Sequence, residues 1–340
     1  MTEFTPLSVL GEFGWIERLK KRVPLVQPST LKGIGDDAAV IHPMPSEKIL
    51  WSTDLLLEGV HFDLRYFPLK HLGYKTVIVG ISDILAMNAI PRQLSLGIGI
   101  SSKFSLEALE ELSFGVELAC EKYGIDWVGG DTTSTRTGLT LAVSVLGTAP
   151  EQKITYRNGA QEYDLIVTTG DLGGAYLGLQ VLEREKKIFL ENPNIQPDLS
   201  NFEYVVERQL KPEARLDIIE TLLHKDIQPS SMIDISDGLA SDLLQLTKAS
   251  GVGCRIYEEK LPISSETHQA AENFNLSANT CVLNGGEDYE LLFTIKQKDF
   301  EKIKDDPRFS VIGHITAQEN GTYFVTKNEE QVALQAQGWR

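Results

Sequence analysis

Cysteine, basic side chains and long apolar runs are all scarce in this chain of 340 residues. The three cysteines, Cys120, Cys254 and Cys281, are odd in number, far apart and without a CxxC pair, which argues against a disulfide framework, a zinc site or a redox motif. Their neighbours are mostly apolar, so we expect buried thiols. No run of about 18 apolar residues occurs, and residues 1–14 lack a basic segment followed by an apolar one. These absences predict a cytoplasmic protein that does not span a membrane.

Basic residues are also outnumbered by acidic ones. Lys and Arg total 32 against 48 Asp and Glu, which gives a formal net charge of -16. Nucleic acids and anionic membranes are bound by clustered cations, so this balance argues against both as partners. A polyphosphate ligand would need bound cations to offset the acidic field of the protein.

Length and apolar content predict two globular domains. A chain of 340 residues is long for one ordinary core, and 42% hydrophobic with 24% charged residues is typical of globular proteins. Segments with strand and helix patterns alternate in both halves, and residues 148–150 punctuate the chain between them. We therefore expect mixed α/β domains over residues 1–150 and 151–340.

Several element boundaries are predicted by local patterns. Ser105 suits the N-cap of a helix whose apolar spacing continues until Gly124. Residues 231–235 have the pattern of a strand, and residues 212–224 that of a helix. Two Pro steps and few apolar pairs predict a surface loop over residues 189–202.

Aspartates recur in Gly- or Ser-containing motifs at the predicted ends of strands. They are Asp36 and Asp37 in GIGDDAAV, Asp54 in STDLLLEGVHF, Asp131 in GGDTT, and Asp234 and Asp237 in IDISDG. Magnesium prefers oxygen ligands, and glycine lets the backbone approach closely. For any one motif, an Asx turn or a helix N-cap is the better explanation. Each motif by itself is therefore only a weak indication of metal binding.

Asp83 has an unusual place on a predicted helix. At helical spacing it shares a face with Thr76, Gly80 and Met87, and no Lys or Arg lies three or four residues away. A carboxylate on an apolar face is costly unless a cation or hydrogen-bond donors satisfy it. A metal ion and backbone amides are equally good partners for it at this point.

Four other features suit ligand binding, each with an ordinary alternative. Residues 170–174, GDLGG, join a predicted strand to a helix whose amides can meet phosphate, but they lack P-loop spacing and alone indicate only a turn. Arg157 suits a phosphate clamp or a solvated surface position. His61 suits an anion contact or a backbone partner. Residues 285–293, GGEDYELLF, suit a polar rim at a strand mouth, but for this segment alone ordinary solvated charges are the better explanation.

Seven motifs in order resemble those of the thiamine-monophosphate kinases across nearly the whole chain: GIGDDAAV, STDLLLEGVHF, ISDILAMNAIPR, GGDTT, YRNGA, DISDGL and GGEDYELLF. The resemblance implies two α/β domains with mixed sheets, as in aminoimidazole ribonucleotide synthetase, the N-terminal ones pairing in a homodimer. It also implies an enzyme that uses ATP and several Mg²⁺ ions to phosphorylate thiamine phosphate to thiamine diphosphate, the last step of that biosynthesis. The wider superfamily includes selenophosphate synthetase and a hydrogenase maturation enzyme.

The same resemblance implies residue roles. The implied metal ligands are Asp37, Ser52, Thr53, Asp54, Asp83, Asp131, Asp234 and Asp237. The implied ATP contacts are Gly130, Asp131, Arg157 and Ser236. The implied contacts of thiamine phosphate are His61, Glu287 and Trp339, the last as an aromatic that packs on its rings. Residues 211–215, KPEAR, depart from the family pattern and receive no role, and the segment around Trp339 departs as well.

Acceptor chemistry then predicts direct in-line transfer with no general base. The second pKa of a phosphate monoester is about 6, so the attacking oxygen is already mostly deprotonated at cytoplasmic pH. Phosphoryl transfer requires mainly positioning and charge neutralisation. The alternatives are another ATP-using synthetase of the superfamily and a non-catalytic sensor of nucleotide or metal. ATP consumption with and without thiamine phosphate separates them.

Overall fold

The computed structural model describes residues 5–6, 9–136 and 138–337. Within these ranges the chain divides into two compact units, Met1–Ile84 with Ala89–Gln152 and Leu85–Asn88 with Lys153–Arg340. None of the helices in the described ranges is long and apolar enough to cross a membrane.

The first unit consists of helices packed against a four-stranded sheet. Its helices are α1 Gly11–Arg22, α2 Leu69–Leu85 and α3 Leu106–Tyr123. Its strands are β1 Thr30–Lys32, β2 Val40–Ile41, β3 Glu47–Leu57, β4 Ile90–Ser101, β5 Asp126–Thr135 and β6 Leu139–Pro150. The sheet has the order β3-β6-β4-β5, and β1 pairs separately with β2. β6 is antiparallel to both β3 and β4, whereas β5 runs parallel to β4.

Helix α3 begins and ends where the sequence predicts. The Ser105 hydroxyl accepts a hydrogen bond from the Ala108 amide at 3.2 Å, which satisfies one of the unpaired donors at the helix start. Gly124 ends the helix in a left-handed conformation with φ of 63°. Both predicted boundary residues are therefore confirmed.

Glycines on α2 and α3 allow close packing of the first unit. A Cβ added at Gly73 would lie 1.9 Å from the Leu112 carbonyl oxygen on α3. A Cβ at Gly80 would lie 2.8 Å from a methyl group of Val145 on β6. Helix α2 therefore contacts α3 along one side and the sheet along another. Asp83 follows Gly80 by one turn and is carried toward the sheet with it.

The second unit contains a seven-stranded sheet surrounded by helices. Its helices are α4 Gly174–Glu191, α5 Glu203–Leu210, α6 Leu216–His224, α7 Leu239–Ser250, α8 Ser265–Asn273 and α9 Ala278–Asn284. Its strands are β7 Leu165–Thr169, β8 Ser231–Ile235, β9 Gly253–Tyr257, β10 Glu290–Ile295, β11 Phe309–Thr316, β12 Thr322–Val325 and β13 Gln331–Ala333. The sheet order is β13-β12-β9-β11-β7-β10-β8.

Some boundaries in the second unit confirm the prediction and others do not. β8 has the predicted bounds, Ser231–Ile235. The predicted loop over residues 189–202 is wrong at its start, because α4 continues to Glu191. The helix predicted over residues 212–224 begins only at Leu216, and α5, which precedes it, was not predicted.

The core of the second unit is apolar and includes Cys254. It is built from side chains of several strands and α7, among them Ile166, Ile233, Leu239, Leu243, Leu292 and Ile312. The three cysteines are free and buried, as predicted. Burial raises the pKa of the Cys254 thiol to about 12 and that of Cys281 to about 11. All three thiols therefore act as small apolar groups in the fold.

Candidate functional site

An aspartate pair lies where α2 meets β3 in the first unit. The Ser52 hydroxyl donates a hydrogen bond to the carboxylate of Asp83. The Oδ2 atom of Asp54 is buried and has no hydrogen-bond partner among the residues that the structure describes. Burial, with a smaller contribution from the charge on Asp83, raises the pKa of Asp54 to about 6. Because a buried carboxylate oxygen without a partner is costly, this position favours a cation.

Consecutive side chains of a strand point to opposite faces, so Thr53 on β3 faces away from its neighbours Ser52 and Asp54. Ser52 and Asp54 face the α2 side, as do the buried Leu50 and Leu56 around them. The Thr53 hydroxyl lies within 2.9 Å of the Ser144 hydroxyl on the opposite face. The structure thus brings the side chains of Ser52, Asp54 and Asp83 together but not that of Thr53. It also places Asp54 inside a long strand, so the prediction that it lies at a strand end is wrong.

A second group of predicted residues lines a cleft of about 790 Å³ in the first unit. Asp37, Gly130 and Asp131 are all on its walls, and both carboxylates are exposed. A Cβ at Gly130 would lie 2.0 Å from the Leu96 carbonyl oxygen, so only glycine fits there. Asp131 lies within β5, so the prediction that it lies at a strand end is wrong.

The third group lies in the turn from β8 to α7 in the second unit. Asp234 is buried near the end of β8, and Ser236 and Asp237 follow it. The backbone amides of Ser236 and Asp237 each donate to the Asp242 carboxylate at 3.1 Å. Burial, and then the charge on Asp234, raises the pKa of Asp242 to about 8. The sequence analysis does not identify Asp242, although an acidic residue in the first turn of a helix, here α7, is a recognisable signal of a helix start.

The predicted metal ligands do not supply a full set of protein ligands for one metal ion at any single position described above. Among residues 5–6, 9–136 and 138–337 there is no cluster of three or more His, Cys, Asp or Glu able to hold a metal ion. Magnesium commonly keeps several waters and binds through one or two carboxylates together with substrate phosphates. A pair such as Asp54 and Asp83 is therefore compatible with magnesium.

The segment GGEDYE is buried rather than solvated. Asp288 is 0% exposed and Glu290 1% exposed, so the interpretation of these two carboxylates as ordinary solvated charges is wrong. The Asp288 carboxylate accepts from the amides of Gly173 at 2.8 Å and Ala175 at 3.3 Å. These are amides of the GDLGG turn and the start of α4, where the sequence allowed phosphate binding. The carboxylate of Asp288 therefore occupies the position at the start of α4 where a bound phosphate was the predicted alternative.

Glu287 differs from its buried neighbours because it is partly exposed. It lines a cleft of about 450 Å³ together with Tyr176 on α4, Asn284 on α9 and Gln337 near the C-terminus. Gln209 on α5 donates from Nε2 to the Glu287 carboxylate at 2.8 Å. This cleft is open enough to receive part of a small ligand.

The remaining predicted contacts are placed as follows. The Leu57 amide donates to Nδ1 of His61 at 3.0 Å, so the neutral ring carries its proton on Nε2. Arg157 is exposed on the loop before β7. Trp339 lies outside the described residues.

Comparison with known proteins agrees with this architecture. Residues 35–149 match the family model "AIR synthase related protein, N-terminal domain", and residues 164–326 match "AIR synthase related protein, C-terminal domain". The thiamine-monophosphate kinase of Aquifex aeolicus (strain VF5) is 34% identical over 289 residues, which cover 85% of this chain and 87% of the relative. The predicted α/β fold with two domains of this type is confirmed.

Two solved structures resemble the whole chain. The thiamine-monophosphate kinase of Stenotrophomonas maltophilia K279a has a TM-score of 0.80 and 29% identity, over 95% of this chain and 98% of that one. AaThiL complexed with AMPPCP and TMP has a TM-score of 0.74 and 30% identity, over 98% of this chain and 97% of that one. This chain belongs to the thiamine-monophosphate kinase family.

Proposed function

We propose that this chain transfers the γ-phosphoryl group of ATP to thiamine phosphate and so forms thiamine diphosphate. The observation that carries the proposal is the match over 98% of the chain to a structure that holds AMPPCP, an ATP analogue, together with TMP. An ATP analogue and a phosphorylated acceptor on one protein are the two substrates of such a transfer. The carboxylate-rich groups of the first unit and of the β8–α7 turn fit the requirements of phosphoryl transfer, which needs positioning and charge neutralisation more than covalent chemistry.

Asp54 and Asp83 are the proposed magnesium ligands with the best fit. The support is the buried Oδ2 of Asp54, which lies near a second carboxylate and has no hydrogen bond to any part of the chain that the structure describes. Ser52 completes this group because its hydroxyl already contacts Asp83. When bound, magnesium would supply positive charge that offsets repulsion between the phosphates of the two substrates. The other proposed ligands are Thr53, Asp37, Asp131, Asp234 and Asp237.

The proposed ATP contacts are Gly130, Asp131, Arg157 and Ser236. Support comes from the cleft of the first unit, where Gly130 lets the backbone of β5 approach β4 closely. Arg157 is exposed and can hold two phosphate oxygens with its planar guanidinium. These side chains would bind and orient the nucleotide.

The proposed acceptor contacts are His61, Glu287 and Trp339. Nε2–H of His61 can donate to a phosphate oxygen because Nδ1 already accepts from the Leu57 amide. The Glu287 carboxylate faces a cleft, and its negative charge suits the cationic thiazolium ring of thiamine. Trp339 is proposed to pack on the rings.

Transfer is proposed to be direct and in line, without a phosphorylated enzyme or a general base. Because the acceptor phosphate is already largely deprotonated, no side chain has to remove a proton. The side chains of this chain would align the attacking oxygen with the γ-phosphorus and exclude water. ATP made chiral at the γ-phosphorus tests this step, since one displacement inverts that centre and a phosphoenzyme would retain it.

The product assay is the direct test of the function. The purified protein is expected to convert thiamine phosphate and ATP to thiamine diphosphate in equimolar yield with ADP, as measured by chromatography. Chelation of magnesium should abolish the reaction, and added magnesium should restore it, because the carboxylates would otherwise repel the polyanion. ATP hydrolysis that ignores thiamine phosphate would reject the kinase assignment.

An apolar face on β3 supports the proposed homodimer. Ile49, Trp51, Leu55 and Leu57 alternate along this strand, and Trp51 is 74% exposed. Among the described residues β3 is also the edge of its sheet, where it pairs with β6. An exposed face of this kind on an edge strand, with only Thr53 polar between Trp51 and Leu55, is typical of a protein interface. We propose that a second copy of the chain covers it.

Trp51→Asp is expected to raise the dimer dissociation constant about 30-fold or more. Loss of a large aromatic from the centre of an interface costs about 2 kcal/mol, and the new charge would add to that cost. Analytical ultracentrifugation over a concentration series measures the shift. Phe189→Asp, on the exposed part of α4, is the matched control and should leave association unchanged. A wild-type chain that sediments as a monomer at micromolar concentration would contradict the proposal.

A further inference from the structure

The segment that carries Glu287 has a backbone that must be held in place. Glu287 has φ of 58° and Tyr289 has φ of 52°. Left-handed conformations are unfavourable for residues with a Cβ and persist only where surrounding contacts fix them. The Glu287 amide donates to the Ser236 carbonyl at 2.8 Å, and the Tyr289 amide donates to that of Ile235 at 3.0 Å. These bonds fix the backbone, but they do not fix the Glu287 side chain.

Helix α5 supplies a contact to that side chain. Gln209 is 2% exposed and donates from Nε2 to the Glu287 carboxylate at 2.8 Å. α5 approaches α4 closely at Gly178, where an added Cβ would lie 2.0 Å from the Val205 carbonyl oxygen and 2.9 Å from Cβ of Gln209. The position of Gln209 is therefore set by helix packing and not by solvent.

Arg208, the preceding residue on α5, joins the helix to a neighbouring strand and to a neighbouring turn. Its guanidinium donates to the Glu290 carboxylate at 3.1 Å and to the Asp171 carbonyl at 3.0 Å. One bond reaches the strand that follows Glu287, and the other reaches the GDLGG turn. Gln209 is thus held on a rigid support, which is what accurate placement of a neighbouring side chain requires.

The chemistry of the amide also suits the role. A neutral Gln can orient a carboxylate by hydrogen bonding without cancelling its charge, whereas Lys or Arg at the same place would form an ion pair. Glu287 would then keep the negative charge that attracts a cationic ring. We infer that Gln209 is a positioning residue that fixes the Glu287 carboxylate toward the acceptor cleft. This inference rests on the proposed function of Glu287.

Gln209→Met tests the inference because methionine keeps the length of the side chain and removes the donor. We expect KM for thiamine phosphate to rise about tenfold, the effect of losing a hydrogen bond to a charged group, with kcat and KM for ATP unchanged. Gln209→His, which keeps an N–H donor, should recover most of the affinity. Gln228→Met, which removes the donor to Thr155 Oγ1 in the same unit, is the control and should leave all three constants unchanged.

A double-mutant cycle shows whether Gln209 acts through Glu287. Glu287→Gln alone should raise KM for thiamine phosphate, and adding Gln209→Met should then cause no further rise. An equal tenfold rise from Gln209→Met in both backgrounds would overturn the inference, as would parallel changes in KM for both substrates. Thermal melting of each variant is measured alongside. If Gln209→Met does not fold, Gln209→His against Gln209→Glu gives the same comparison, and equal KM values for these two would overturn it.

Failure of the proposed function gives a different pattern. A wild-type protein that forms no thiamine diphosphate would overturn both the function and the inference. Normal activity in Glu287→Gln would remove Glu287 from the acceptor site, and with it the role of Gln209. An active wild type with a high KM in Glu287→Gln but an unchanged KM in Gln209→Met would overturn the inference alone.

Discussion

Asp83→Asn is expected to lower kcat/KM by more than about 100-fold while leaving the protein at least as stable as the wild type. Loss of an outer partner of a metal ligand commonly costs about 10- to 100-fold, so loss of a proposed ligand should cost more. An asparagine side chain has nearly the same size and shape as that of aspartate, and its amide oxygen can still accept the hydrogen bond from the Ser52 hydroxyl. Removing one of two neighbouring carboxylates also relieves repulsion with Asp54, which is why stability should not fall.

Magnesium titration of the reaction and thermal melting together check this expectation. The matched control is Asp126→Asn, since Asp126 is also buried in the first unit but has satisfied oxygens. Its Oδ1 accepts from the Val26 amide at 2.6 Å, and both of its oxygens accept from the Gln27 amide at 3.1 Å. That variant should lose stability without a change in magnesium dependence. Wild-type activity of Asp83→Asn at limiting magnesium would remove Asp83 from the proposed site.

Arg208→Leu is expected to destabilise the second unit by about 3–5 kcal/mol, the usual cost of removing one partner from a buried ion pair. Glu290 is 1% exposed and also pairs with Arg215 at 2.7 Å, and Asp288 is fully buried beside it. Without Arg208, Glu290 would keep Arg215 as an ion-pair partner, and Asp288 would lose the guanidinium that lies 3.8 Å from its carboxylate. Hydrogen exchange of peptides from β7, β8 and β10 measures the local free energy of opening.

Two variants control that experiment. Arg208→Lys keeps the charge and loses the forked geometry, so it should lose less stability than Arg208→Leu. Arg65→Leu breaks the exposed pair with Asp63 in the first unit and should leave the same peptides unchanged. A free energy of opening in Arg208→Leu within about 1 kcal/mol of wild type would show that the network contributes little.

Local patterns predicted those elements whose signals lie within a few residues. The Ser105 cap and the Gly124 stop of α3 are side-chain and backbone effects of one helical turn, and both were read correctly. α5 has only eight residues and packs through Gly178 of another helix, so its stability depends on contacts that are distant in sequence. Such a helix has too few residues for a reliable periodic signal.

In the candidate site, too, features set by neighbouring residues could be predicted, and contacts between residues far apart in sequence could not. The sequence identified Asp83 as a carboxylate on an inner helix face, but its neighbours Ser52 and Asp54 depend on the register of β3 with β6. The interpretation of the Asp288 and Glu290 carboxylates as solvent-exposed charges is wrong for a related reason. Their partner Arg208 lies about eighty residues earlier, and no spacing rule connects residues at that distance. KPEAR, left without a role, contributes Arg215 to the same network.

The carboxylate of Asp288 at the start of α4 has a consequence for motif searches. A strand, a glycine-rich turn and a helix are the usual signature of a nucleotide cradle, yet here the chain fills the cradle with its own side chain. A motif search that scores only the turn would predict a phosphate site here, although the amides of Gly173 and Ala175 already donate to Asp288. The residue that decides is Asp288, more than a hundred residues further along the chain. Its carboxylate bonds the amides at the start of α4, which an external phosphate would otherwise contact.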